Sequence, residues 1–329
     1  MLGAQPDIEL VLIVSSDAAK VQSELPGMAV APELAAALAA PDIELIVIAT
    51  PNDTHGPLAQ AALAAGKHVV IDKPFTTTTA EARALIALAD AQRRLLSVFH
   101  NRRWDSDFLT VARAIEDGLV GTPRHFESHF DRFRPQVRDR WREHAVPGGG
   151  IWFDLGPHLV DQALALFGMP RSVQGSLARQ RPGAVVEDWA HVILDYGALR
   201  VVLHASMLVA GGVPRFIVHG DGASIVKHGA DRQEAQLLAG MTPGSQGWGE
   251  DPDALQLVEA DGASRPIAAL PGDQRRYYAG IAAALRGGAE NPVPPQQALA
   301  VIAVVEAAAQ SAATGRVVMT DGCGEGKPT

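Results

Sequence analysis

Four short runs of β-branched and aliphatic residues, separated by alanine-rich stretches, constrain the first hundred residues more than any other feature. They are IELVLIV (residues 8–14), IELIVIA (43–49), KHVVI (67–71) and LLSVF (95–99). Each is nearly continuous in apolar residues, the pattern of a strand covered on both faces. Residues 32–40, 54–65 and 79–94 between them are rich in Ala and Leu and read as helices. Gly66 stands where a helix-ending glycine belongs. Strand–helix–strand repetition at this spacing predicts right-handed crossovers and a parallel, doubly wound sheet.

Beyond Asn101 the pattern changes. Residues 104–117 read as a helix. The segments RHFESHFDRF, AHVILDY, LRVVLHASML and RFIVHGDGASIV then alternate polar and apolar positions. Period-two alternation predicts a large, mostly antiparallel open sheet with one face on helices. Helices are expected at 151–167, 273–286 and 295–314, a short strand at Val317, and a loop at 240–253. The chain therefore divides into an α/β domain, residues 1–101, and an α+β domain, residues 102–329.

Composition narrows the function classes. The net charge is −9 with signs interspersed, which argues against nucleic acid or an anionic membrane as partner. The 47% hydrophobic content supports a sizeable core. No leader-like opening and no uninterrupted apolar window of 18 residues is seen, so a cytoplasmic protein is expected. The single cysteine, Cys323, sits in a Gly-rich tail and is a poor nucleophile candidate.

Ligands of doubly wound sheets bind beyond the carboxyl ends of the strands. Two polar segments occupy such ends: ATPNDTH (residues 49–55) and Asp72-Lys73-Pro74. The plain alternative is that Lys73 reaches solvent and Asp72 caps a helix. In the second domain, PGGGIWFDLGPHLVDQAL (147–164) sets three glycines before a helix bearing Asp154 and His158. A spacing of four puts this pair on one helical face, where it could equally be a surface hydrogen-bonded pair. Gly156 and Pro157 cost roughly 1 and 3 kcal/mol against alanine inside a helix, so close fit to a ligand is expected to outrank helix stability there. Lysine, aspartate and histidine make a workable proton-transfer set.

These motifs together resemble the Gfo/Idh/MocA family. The ATPN run, the Lys-Pro dipeptide and the GGG…D…H helix carry the resemblance, which spans about residues 8–320. Asp72 stands where the family usually has Glu. The resemblance implies a Rossmann-type domain binding NAD or NADP and a catalytic set of Lys73, Asp154 and His158. His158 would be the general acid/base and Lys73 would polarise the reacting oxygen. It places Thr50, Pro51, Asn52, His55 and Asp72 around the ribose and nicotinamide. It also implies oxidation of a sugar, polyol or cyclitol hydroxyl, or reduction of the matching carbonyl. Two rivals are an NAD-dependent glycosidase-type relative and a homologue acting as a non-catalytic binding or regulatory subunit.

No strand with a Gly-x-Gly-x-x-Gly turn precedes Ile8, so the α/β domain reads as N-terminally incomplete by about one βα unit of ~25 residues. At the end of the next strand, Ser15 and Ser16 come before Asp17, and Lys20 follows. That leans toward NADP, although Asp17 could serve NAD or simply cap a helix. Asn101, Arg102, Trp141 and Trp152 are candidate contacts for a small sugar-like substrate, and Asp105 is expected to cap a helix. His125, Glu127 and His129 share a strand face with zinc-like geometry, but a solvated or subunit-facing strand is favoured and no metal is expected. A homodimer or homotetramer through the C-terminal sheet is expected, because its helices suffice for one face only.

Overall fold

The computed structural model describes residue 3 and residues 5–320. Cys323 lies outside them. The chain forms two compact units, Met1–Phe99 with Arg275–Leu299, and His100–Gln274 with Ala300–Thr329. The first unit thus takes in a helix that sequence reading assigned to the second domain.

The first unit starts with β1 (Ile13–Val14), α1 (Ala18–Glu24), β2 (Val30–Ala31) and α2 (Leu34–Ala39). It continues with β3 (Leu45–Ile48), α3 (His55–Ala64), β4 (His68–Asp72), α4 (Thr79–Gln92) and β5 (Leu96–Phe99). All pairings are parallel, but they form two separate sheets, β1-β2 and β3-β4-β5. Among the described residues no strand joins β1 to β3. The run at 8–14 yields only a two-residue strand, whereas β4 keeps its whole apolar run, with Val69, Val70 and Ile71 fully buried. Gly66 follows α3 at φ +73°, a conformation glycine adopts without the Cβ penalty. Thr78 caps α4 by accepting from the Glu81 amide.

The second unit comprises α5 (Ser106–Glu116), β6 (Pro123–Asp131), α6 (Ile151–Phe167), β7 (Ser172–Ala178), β8 (Trp189–Asp195), β9 (Arg200–Ser206) and β10 (Phe216–Gly220). It continues with β11 (Ala223–Lys227), α7 (Gln233–Leu238), β12 (Leu255–Glu259) and β13 (Ser264–Ile267). The chain ends in α8 (Arg275–Leu285) of the first unit, α9 (Pro295–Thr314) and β14 (Val318–Met319). The nine strands run β13-β12-β11-β10-β6-β9-β8-β7-β14, antiparallel throughout except for the parallel pair β6–β9. Phe126, Val192, Leu203 and Phe216 share a core with Trp152, Leu155 and Leu159 of α6. The opposite sheet face carries His125, Glu127 and His129 of β6, His191 of β8 and His204 of β9, all half-buried. Helix α9 has the length and apolarity to cross a membrane, yet Val301, Ile302, Val304 and Val305 are buried in the fold.

Candidate active site

The first unit presents its polar residues at the carboxyl ends of β1, β3 and β4. His55 opens α3 and is fully buried. Its Nδ1 lies 2.8 Å from the Pro74 carbonyl oxygen and its Nε2 3.0 Å from that of Thr50, so whichever nitrogen carries the proton donates to one of the two turns. The imidazole is therefore a strut between the turn after β3 and the turn after β4. It fixes their separation and leaves no ring nitrogen for a ligand. Thr50 and Pro51 are exposed and Asn52 is buried; the Thr50 and Thr54 hydroxyls share a hydrogen bond of 2.6 Å. Asp72 does not cap a helix. Its Oδ1 accepts from the Lys73 amide at 2.8 Å, and Lys73 is half-buried. Tyr278 of α8 has its hydroxyl pKa pushed up by burial, with a further contribution from Asp72.

At the end of β1 the Ser15 hydroxyl accepts from the Asp17 amide, and Asp17 caps α1 by accepting from the Lys20 amide at 2.9 Å. Ser16 and the Lys20 side chain are exposed. No Gly-x-Gly-x-x-Gly run occurs in the 329 residues.

The second unit builds its polar site on α6. Asp154 and His158 lie one turn apart, with His158 buried and its ring edge-on to Phe130 at 6.2 Å. The Arg102 and Arg215 guanidiniums lie against that phenyl ring, 4.8 and 3.8 Å from its centroid. One turn further along α6, Asp161 takes a bidentate pair from Arg103 at 2.6 and 2.9 Å. Gln162 Nε2 donates to the Arg102 carbonyl, and Gln162 Oε1 accepts from Arg215. Arg102 is held by Asp105 at 2.9 Å and Glu234 at 3.2 Å.

Two expectations change here, for Asp105 and Trp152. Asp105 occupies the N-cap position of α5 but makes no cap hydrogen bond. Its carboxylate is fully buried against Arg102 and accepts from Gln274 Nε2. Burial, opposed by Arg102, raises its pKa above the usual carboxylate range. Trp152 is no substrate contact: it is fully buried, and its indole N–H donates to the Val305 carbonyl at 3.0 Å. Trp152, Leu155 and Leu159 share the core-facing side of α6, which settles its direction. Trp141 is half-buried in a 3-10 turn and stacks on Arg142, 4.6 Å from ring centroid to guanidinium.

The glycines serve the protein's own packing. A Cβ on Gly149 would meet the His144 carbonyl oxygen at 2.4 Å, and one on Gly150 the Glu187 carboxylate at 2.2 Å. A Cβ on Gly156 would strike the Trp152 ring at 2.8 Å. Two charged neighbours of the start of α6 escaped sequence reading. Glu187 lies over the start of α6, its carbonyl accepting from the Ile151 amide, and burial raises its carboxyl pKa. Arg142 pairs with Asp154, Nε to Oδ1, at 3.2 Å. The only signal for it was its place directly after FDRFRPQVRDRW (130–141), a stretch dense in arginine and aromatic residues. On β6, His125 Nε2 and His129 Nε2 both turn to the Glu127 carboxylate, at 2.6 and 2.9 Å.

The fold sets polar strand ends on a parallel-stranded unit and an Asp/His pair on one helix of a second unit. Residues 1–100 match the NAD-binding Rossmann-fold model of the GFO_IDH_MocA oxidoreductase family, and residues 112–320 match its C-terminal alpha/beta domain. The chain belongs to the Gfo/Idh/MocA oxidoreductase family. It is 51% identical to the oxidoreductase YdgJ of Escherichia coli (strain K12) over 95% of this chain and 91% of that one. It is 36% identical to scyllo-inositol 2-dehydrogenase (NADP(+)) IolW of Bacillus subtilis (strain 168), over 98% and 91% of the two. A crystal structure of an oxidoreductase from Klebsiella pneumoniae superposes with a TM-score of 0.91 at 54% identity, covering 97% of this chain and 89% of that one.

Proposed function

We propose that the protein oxidises a secondary hydroxyl of a polyol, cyclitol or sugar, or reduces the matching carbonyl, with NADP or NAD as partner. The observation that carries this reading is the Asp154/His158 pair on one face of α6, behind a glycine turn, in a chain with a nicotinamide-binding fold. When bound, the dinucleotide supplies or accepts the hydride. Thr50, Pro51 and Asn52 would hold its ribose and nicotinamide end, with His55 setting the turn that carries them and Asp72 fixing the Lys73 backbone. Ser15, Ser16 and Lys20 would meet the adenosine ribose, and the absence of an acid directly after β1 favours NADP.

The Lys73 ammonium would steady negative charge on the substrate oxygen, and His158 would give or take its proton. Asp154 would orient the imidazole. Asn101 and Arg102 would contact the remaining hydroxyls. The relatives named for scyllo-inositol and for D-apiose support a neutral polyhydroxy substrate. The test is a panel of scyllo-inositol, myo-inositol and D-apiose with NADP and NAD, reading formation of the reduced cofactor. Turnover of at least one member is expected. Failure of all of them, in both directions of reaction, sinks the polyol reading.

A further inference from the structure

Two arginines just past the end of β6 carry charge that the protein does not balance. Phe130 is buried in the core beside His158, and Arg132 and Arg134 follow it at the two-residue period of a strand. Phe133 between them is 58% exposed. The backbone is held here as it is inside the sheet. The Arg132 amide donates to the Ser206 carbonyl at 2.9 Å, and the Arg132 carbonyl accepts from the Val209 amide at 3.0 Å. The Arg134 amide donates to the Met207 carbonyl at 2.8 Å, and the Arg134 carbonyl accepts from the buried Arg181 side chain at 3.2 Å. Both arginines are half-buried.

The arginines around them are neutralised. Arg102 pairs with Asp105 and Glu234, Arg142 with Asp154, Arg181 with Glu143 and Asp188, and Arg215 with Asp107. Among the described residues no carboxylate comes within ion-pair distance of Arg132 or Arg134, and neither guanidinium hydrogen-bonds to the protein. Burial and the Arg134 charge lower the pKa of Arg132, Asp154 and Glu234 raise it, and Arg102 lowers it further. The two acids in its field are thus each paired with a different arginine. A guanidinium taken partly out of water and set beside a second one is costly unless an anion joins them. Charge kept at such a cost marks a binding site.

We propose that Arg132 and Arg134 form an oxyanion subsite, taking a carboxylate or phosphate that the substrate carries away from its reacting hydroxyl. This rests on the reading of the second unit as the place where a polyhydroxy compound is bound and oxidised. The hydroxyl chemistry stays as it stands above; the arginines add a preference for charge. Neutral polyols are then the weaker members of the class, and a sugar acid or sugar phosphate the stronger. Guanidinium forks suit the paired oxygens of either group.

The experiment is calorimetric titration of the 329-residue chain with D-glucose, D-glucuronate, D-glucose 6-phosphate and inorganic phosphate, at one ionic strength and with no cofactor added. One of the two anionic sugars should bind at least about 10-fold tighter than D-glucose. Which of them does so names the oxyanion. Arg132→Gln and Arg134→Gln should each remove most of that advantage and leave D-glucose unchanged. Arg132→Lys keeps the charge without the fork and should retain part of the advantage; it carries the test if a Gln variant does not fold. Equal affinity for charged and neutral sugars, no binding of either anionic sugar, or an advantage that survives in all the variants overturns the proposal. So does inorganic phosphate binding as tightly as D-glucose 6-phosphate, which would make this a site for a free anion. Turnover is read separately. If the advantage is present but no hydroxyl compound is oxidised, the polyol reading fails and the subsite stands. If neutral polyols turn over and the advantage is absent, the subsite alone fails.

Discussion

Tyr277 of α8 donates its hydroxyl to Ser97 Oγ of β5 at 2.8 Å, across 180 residues of chain, with both side chains fully buried. Ser97 passes the interaction on to the Val293 carbonyl at 3.0 Å. Asn291 adds a bond from its amide to the Leu96 carbonyl, and Phe99 lies against the Tyr277 and Tyr278 rings. The last strand of the parallel unit is thus completed by the chain's late return.

Tyr277→Phe keeps the ring and removes the donor. A net loss of about 1 kcal/mol is expected, read as a lower urea midpoint with an unchanged slope. A midpoint equal to the wild type's would show that the hydroxyl pair adds nothing.

Lys73→Met and His158→Ala should each reduce kcat by about 10²–10⁴-fold with little effect on melting. Either variant keeping wild-type turnover on the true substrate removes that residue from the proposed chemistry.

Acid should weaken the fold through the outer face of the large sheet. Burial lowers the pKa of His191 and of His204, whose Nδ1 atoms share a hydrogen bond of 3.3 Å. One must donate and the other accept, so double protonation breaks the contact. Folded values below the unfolded value of about 6.5 mean that the unfolded chain binds more protons. Their stability contribution is therefore present above that pH and lost as pH falls through it. His129 runs the other way: burial alone would lower it, but bonds to Asp131 and Glu127 raise it, so its contribution is lost as pH rises. Urea midpoints should fall between pH 7 and pH 5, and His191→Gln with His204→Gln should flatten that fall. An identical slope in the double variant would assign the effect elsewhere.

How much of this was legible in the chain varies by element. The reading of 151–167 and 295–314 as helices coincides with α6 and α9, because Gly150 and Gly168 bracket the first and Pro295 opens the second. The apolar runs located β3, β4 and β5 because each pairs within one sheet and keeps its continuous pattern. Residues 8–14 misled by length: β1 has β2 alone as neighbour, and only two residues pair. The direction of Trp152 was hidden because a tryptophan beside glycines suits a binding face and a core equally. Leu155 and Leu159 at helical spacing point to the core. The partners of Asp105 and Asp154 lie in loops whose path no periodicity encodes.

Association is expected through the same outer face. Ile193, Val202, Ile217 and Val226 form one row across it, interrupted by Glu127. A half-exposed aliphatic row of this kind suits a twofold contact between copies. Light scattering at micromolar concentration should give at least twice the 34.7 kDa chain mass, and Ile193→Lys with Ile217→Lys should lower it. A monomer mass for the wild type would end this idea.

Pro157 sits inside α6 and brings no amide proton. The Phe153 carbonyl therefore receives no bond from the residue four places on. The ladder of the helix is cut between the turn that holds Asp154 and the turn that holds His158. The first turn is secured from outside instead, by Glu187 on the Ile151 amide and Arg142 on the Gly150 amide. The start of α6 is therefore tethered sideways, to the loop before it and the segment beside it, rather than along its own axis, while Ile151, Trp152 and Leu155 anchor it in the core.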